Sequence, residues 1–202
     1  MTPRTDTRAR ILAIAEGHLM RRGYHAFSFA DIAQELGIKP AAIHYHFATK
    51  PELVCAVIQA YARRFDRWVA AVSGLSAADR LTGYFEVGRL LVSDGRVCPL
   101  SMLTAEQDAI PADVVEQVRG LHARILAFYV DSLAQARTVG AASFGGSPED
   151  EGGMVACTLV GAQLLARLHG PDAYVRVMRQ QGRALGLPEQ WSAFPTSAWS
   201  AR

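Results

Sequence analysis

Between Ser28 and Lys50 the chain sets out residues whose types suit a nucleic-acid backbone and groove: Ser28, Lys39, Pro40, Ala41, His44, Tyr45 and Lys50. Lys39, His44, Tyr45 and Lys50 carry donors that reach phosphate oxygens, contacts that position a protein on a duplex and supply salt-dependent affinity. Pro40 and Ala41 are small, so a helix bearing them can come close to base edges, and an alanine methyl can meet a thymine methyl. Ser28 and Thr49 stand where helices begin, and helix N-termini offer backbone N–H groups to the same phosphates.

The elements that must hold these residues are short helices. Ser28 precedes Phe29, Ile32, Ala33 and Leu36, an N-cap followed by an apolar face at helical spacing, and Gly37 closes that helix after barely two turns. A second short helix begins near Lys39 and Pro40 and carries Ile43 and Phe47 on one side. Phe29, Ile32, Leu36, Ile43 and Phe47 lock the pair together, leaving Lys39, Pro40, Ala41, His44 and Tyr45 on the opposite side. These are the proportions of a helix-turn-helix, whose second helix enters the major groove. Ahead of it, Ile11, Ala15 and Leu19 mark a helix ended by Arg21, Arg22 and Gly23. Behind it, Thr49 caps a long helix with the face Leu53, Val57, Tyr61, Phe65, Trp68 and Val72.

Charge follows the same division. Residues 1–64 hold nine Lys/Arg and five Asp/Glu, a net of +4, against −2 for the rest of a chain whose total is +2. A basic front on a near-neutral body suits a polyanionic partner at one end. Cys55, Cys98 and Cys157 are too few and too scattered for a disulfide framework or a zinc site, which fits a reducing, cytoplasmic setting and no bound metal or cofactor. The longest uncharged run, 152–166, is too short to span a bilayer. HExxH, GxSxG and Walker-type glycine motifs are absent, so an enzyme has no nucleophile or phosphate cradle to build on.

Phe29 to Leu53 resembles the signature of the TetR family of helix-turn-helix regulators. That signature has an apolar helix ending in Leu-Gly-Val/Ile (here Leu36 to Ile38), then Leu/Ile-Tyr-x-His/Tyr-Phe (here Ile43 to Phe47), then a Lys before Glu and Leu (here Lys50, Glu52 and Leu53). The likeness runs from about Ala9 to Leu53. One departure stands out: His44 occupies the place of a phosphate-binding tyrosine, with Tyr45 beside it. A protonated imidazole donates more strongly, so operator binding is expected to weaken as pH rises through the histidine range.

The resemblance implies an all-α fold with two parts, residues 1–50 binding DNA and residues 51–202 binding a ligand and dimerising. It implies a double-stranded operator, a homodimer and a small-molecule inducer, with release of repression when the inducer binds. A regulator indifferent to ligands is the alternative. The dimer interface is expected from helices at 155–168 and 172–185, where Val155, Leu159, Leu165 and Leu168 supply apolar area and Gly161 and Ala162 allow close approach. For the inducer pocket the aromatic and apolar set Phe65, Trp68, Tyr84, Phe85, Met102, Leu103, Phe128 and Tyr129 offers the lining, with His122 or Gln107 as polar anchors.

Cys98 precedes a short helix and follows Arg96, a setting in which N–H dipoles lower a thiol pKa. It resembles a branch of the family that carries a cysteine there and includes members responsive to electrophiles or oxidants, so Cys98 is an alternative sensor. Residues 140–153, with five glycines and Pro148, read as a mobile loop, and the chain from Gly186 reads as irregular.

Overall fold

A computed structural model describes residues 4–189, 191 and 199. Among the described residues there are helices and no strands: α1 (Arg4–Arg22), α2 (Phe29–Leu36), α3 (Pro40–His46), α4 (Lys50–Ala71), α5 (Ala77–Ser93), α6 (Pro99–Thr104), a 3-10 turn (Gln107–Ala109), α7 (Ala112–Thr138), α8 (Pro148–His169) and α9 (Pro171–Ala184). None of these helices is long and apolar enough to cross a membrane.

Local chemistry sets most of the boundaries. Ser28 and Asp31 form a reciprocal capping box at the start of α2. At its end Gly37 takes φ +67°, its N–H bonding Gln34 and the N–H of Ile38 bonding Ala33, the paired bonds of a Schellman stop. The Thr49 side chain accepts from the N–H of Glu52, and the Glu52 carboxylate accepts from the N–H of Ala48 at 2.9 Å. The Glu52 amide in the first turn of α4 and the Ala48 amide just before the helix are therefore already partnered.

The glycine-rich stretch differs from the expected loop. Helix α8 starts at Pro148, so Gly152 and Gly153 lie inside it. Ser147 is the N-cap, Pro148 follows, and Glu149, Asp150 and Glu151 fill the first turn, where the helix dipole favours negative charge. That start signal outweighs two poor helix formers. Gly152 also has a packing reason, since a Cβ there would lie 3.0 Å from the Val130 side chain on α7.

Helices α1 to α3 form a head, and α4 packs on both α1 and α7, tying head to body. In the body α5 lies against α7, α8 and α9, while α8 packs between α7 and α9. A single apolar cluster runs from Ile11 in α1 to Met178 in α9. The division expected at 50/51 falls at the first residue of α4, a helix both parts share. Of the stretch expected to be irregular, 190, 192–198 and 200–202 lie outside the described residues, but Trp199 is buried in the body's core.

Candidate functional site

The exposed side of α3 carries the residues singled out from the sequence. Ile43 and Phe47 are buried, while Lys39, Pro40, Ala41, His44 and Tyr45 face outward, Tyr45 with 67% of its surface exposed. Two ring contacts steady the face. His44 meets Phe29 edge-on at 4.8 Å between centroids, and Tyr45 meets His46 at 5.2 Å. Pro40 sets the first turn and Lys39 stands at the N-cap without closing it with its own side chain. Arg8 of α1 lies over the Phe47 ring at 4.8 Å, a cation at the edge of the same two-helix unit.

Two members of the expected set serve the fold. The Ser28 hydroxyl donates to Asp31 at 2.7 Å, and this bond, with the Ser28 amide's, holds the Asp31 carboxyl below its usual value. Ser28 can still present the amides of α2 to a phosphate, but its side chain is engaged. Lys50 turns inward: its ammonium donates to the Phe27 carbonyl and lies 4.4 Å and 4.8 Å from the Phe27 and Tyr24 ring centres. Burial pushes that ammonium below the ordinary lysine value. In this structure Lys50 is therefore a clip between α4 and the α1–α2 turn.

That turn is also held by the body. The N–H of Tyr24 donates to the Glu106 carboxylate at 3.0 Å, the His25 ring meets the Ala109 carbonyl at 3.0 Å, and the N–H of Val97 donates to Met20 at 3.0 Å. Arg64 on α4 grips Glu16 on α1 with both terminal nitrogens. Three body segments therefore fasten the head: the residues before α6, the stretch just after it, and the middle of α4.

The expected ligand set divides in two. Phe65, Trp68, Tyr84, Phe128 and Tyr129 pack on one another with centroids 5.3 to 6.4 Å apart, and Phe85 is buried beside Trp191. Leu103 and His122 instead line a cavity of about 470 Å³ between α6, α7 and α8, which Gln107 also borders. Leu100, Ile110, Val115, Val118, Ala156 and Val160 supply its apolar wall, and Arg119 shares the rim with His122. Met102 is half-buried, its sulfur facing Arg167 at 3.2 Å.

Cys98 is the N-cap of α6 and 2% exposed. Burial pushes the thiol above its ordinary value and outweighs the lowering by the Tyr61 side chain and by the N–H groups of Leu100 and Ser101. The lowering expected from the sequence is reversed because the same helix start is sealed from water. Its own amide and the Ser101 hydroxyl both donate to the buried Gln163 side chain at 2.9 Å.

Residues 11–57 match the family model described as bacterial regulatory proteins, tetR family. Over 70 residues the chain is 36% identical to the HTH-type transcriptional activator FasR of Mycolicibacterium smegmatis, covering 35% of this chain and 31% of that protein. The chain thus spans about a third of the curated relative it matches. A TetR-family transcriptional regulator from Agrobacterium tumefaciens superimposes with a TM-score of 0.85 at 26% identity, over 90% of this chain and 98% of that one. Residues 11–57 are a TetR-family DNA-binding domain. Its fold is shared also with AibR, solved in complex with isovaleryl coenzyme A and operator DNA, at a TM-score of 0.69 and 16% identity over 90% of this chain and 99% of that one.

The head was legible from local signals, whereas the cavity was not. Its lining comes from three helices and from positions 100 to 161, and any one of those leucines or valines reads as ordinary core. Glu106, which reaches back to the head, also carried no local signal.

Proposed function

We propose that this TetR-family protein is a homodimeric repressor of a palindromic operator, released when a small molecule binds its C-terminal part. The observation that carries the reading is the outward face of α3, small at Pro40 and Ala41 and edged by Lys39, His44 and Tyr45, on a head matched by the family model. Such a face enters a major groove with its N-terminal residues at the bases. Two copies related by a two-fold axis read the two half-sites of a palindrome.

Support for a dimer comes from α8. Met154, Leu165 and Leu168 are exposed large apolar residues on it. With Cys157 and Gly161 they fall within about 80° around a helix of 3.6 residues per turn. Val155, Leu159 and Ala162, expected to share that interface, are buried within the subunit instead. Support for ligand control comes from the cavity: α6 and Gln107 line it, and the adjoining Glu106 and Ala109 hold the head's first turn. A ligand that favours one position of this wall therefore favours one placement of the head, and by linkage the operator opposes that ligand equally.

The test is a salt titration of the purified protein on the fragment upstream of its own gene and on a scrambled duplex. Marked preference for the native fragment, lost in Tyr45→Ala and in His44→Ala with helical content unchanged, supports the reading. Unchanged affinity in both variants would remove α3 as the reading surface.

A further inference from the structure

The cavity between α6, α7 and α8 is graded from apolar to polar. Leu100, Leu103 and Val118 are buried at its floor, whereas Gln107, Arg119 and His122 are exposed at its mouth. Among the described residues no Phe, Tyr or Trp lines it, in contrast to the filled aromatic core around Trp68. Close-packed interiors leave few voids larger than a water molecule. A space of about 470 Å³ is instead the size of a small-molecule site.

The mouth carries charge of one sign. Arg119 and His122 stand three residues apart on α7 and so share a face. Among the described residues no Asp or Glu lines the cavity with them. The ion pair of Arg119 is with Glu116, 3.6 Å away, and both side chains are 71% exposed, so water screens it and leaves the guanidinium open to a guest. His122 offers an N–H in either tautomer. We infer that this cavity binds an aliphatic monocarboxylate, its chain along Leu100, Leu103 and Val118 and its carboxylate at Arg119 and His122. The inference deepens the ligand-responsive reading above and rests on it for its consequence at the operator.

The chemistry narrows the class. A flat ring would find no aromatic face to stack on, whereas a flexible chain follows a wall of leucine, isoleucine and valine. A cationic head would meet Arg119 with no counter-charge lining the site. A neutral alcohol fills the floor equally but leaves the donors at the mouth to water. The carboxylate stays at the exposed rim and keeps part of its hydration, so the cost of burying a charge is avoided. A guest so placed touches α6 and the turn after it, where Glu106 and Ala109 hold Tyr24 and His25 of the head. Cys157 and Gly161, on the opposite lip, belong also to the exposed stripe of α8. A side chain of a second copy is therefore the competing occupant.

Octanoate, 1-octanol and octylammonium share one chain and differ in the head group. Each is titrated by calorimetry into the full chain, into the double variant Arg119→Gln, His122→Gln, and into Val160→Phe, which fills the cavity from α8. Thr104→Trp, at an exposed lip, covers the mouth instead if Val160→Phe loses helical content. Octanoate is expected to bind about threefold or more tighter than 1-octanol, and about tenfold or more tighter than octylammonium. The double variant is expected to erase the first difference, and the blocking variant to weaken octanoate about tenfold or more. From hexanoate to octanoate, affinity is expected to rise about fourfold for each methylene buried. Equal binding of octanoate and 1-octanol would overturn the proposal, as would octanoate binding that the blocking variant leaves intact. Absence of octanoate binding would overturn it too, and is the result if a second copy fills the cavity. If octanoate fails while another small molecule still releases the operator, the ligand-responsive reading stands and this site falls. If octanoate binds as expected and operator affinity is unchanged, the site stands and release through it falls.

Discussion

Replacing Gly88 by alanine tests how closely α5 and α9 approach. A Cβ at Gly88 would lie 2.0 Å from the Tyr174 hydroxyl oxygen and 2.7 Å from Cζ, where ordinary contact begins at 3.4 Å. Tyr174 has no room to yield: it is fully buried and its hydroxyl donates to the Phe85 carbonyl at 2.7 Å. Overpacking of this kind costs about 1–3 kcal/mol. Loss of the buried hydrogen bond adds about 1 kcal/mol. Alanine's better helix propensity returns about 1 kcal/mol. The net expectation is a loss of about 2 kcal/mol, read from urea unfolding at one fixed protein concentration because association contributes to the midpoint. Tyr174→Phe removes the nearest clashing atom, so it is expected to cost about 1 kcal/mol in the parent and to be neutral or stabilising in the Gly88→Ala background. The second contact, at Cζ, keeps the rescue partial. A neutral Gly88→Ala, or two effects that simply add, would refute the packing argument.

Lys50→Met removes the inward clip without touching the α3 face, so it is expected to cost about 1 kcal/mol of stability while leaving the salt slope of operator binding unchanged. A slope reduced by about one counterion would instead return Lys50 to the phosphates. Asp31 is held below the ordinary carboxylate value of 3.8 by its Ser28 bonds, so its stabilisation is complete above that value and lost as pH falls through the lower one. Asp31→Asn is therefore expected to be less stable than the parent near neutrality and equal to it in strong acid; a gap that stays constant across an acid titration by circular dichroism counts against the capping account. Leu168→Glu places a charge on the exposed stripe of α8, and sedimentation is expected to show at least a tenfold weaker dimer with operator affinity falling in parallel. An unchanged dimer would move the interface elsewhere.

How much was readable depends on how far apart the contacting residues lie. The head is written in short-range terms: Ser28 bonds Asp31, Gly37 stops α2 within four residues of the carbonyls it caps, and the apolar residues from Phe29 to Phe47 lock two helices that adjoin in the chain. Such signals survive in a sequence because capping and periodicity act over a few residues. The start of α8 belongs to the same class. Ser147, Pro148 and the acidic turn all mark it, and the glycines on either side of that turn obscured them.

Where a side chain goes once its helix is packed was decided by tertiary structure alone. Lys50 looks outward in a list of basic residues and turns inward because Phe27, Tyr24 and a carbonyl await it across the head. Cys98 sits at a helix start that lowers thiol pKa values, and burial by the body reverses the sign. The aromatic set belonged together, as the sequence suggested, but packing made it a filled core and opened the cavity beside it, between α6, α7 and α8. The physical reason is common to all three: desolvation and close packing depend on every neighbour at once, and here those neighbours come from helices dozens of residues apart in the chain.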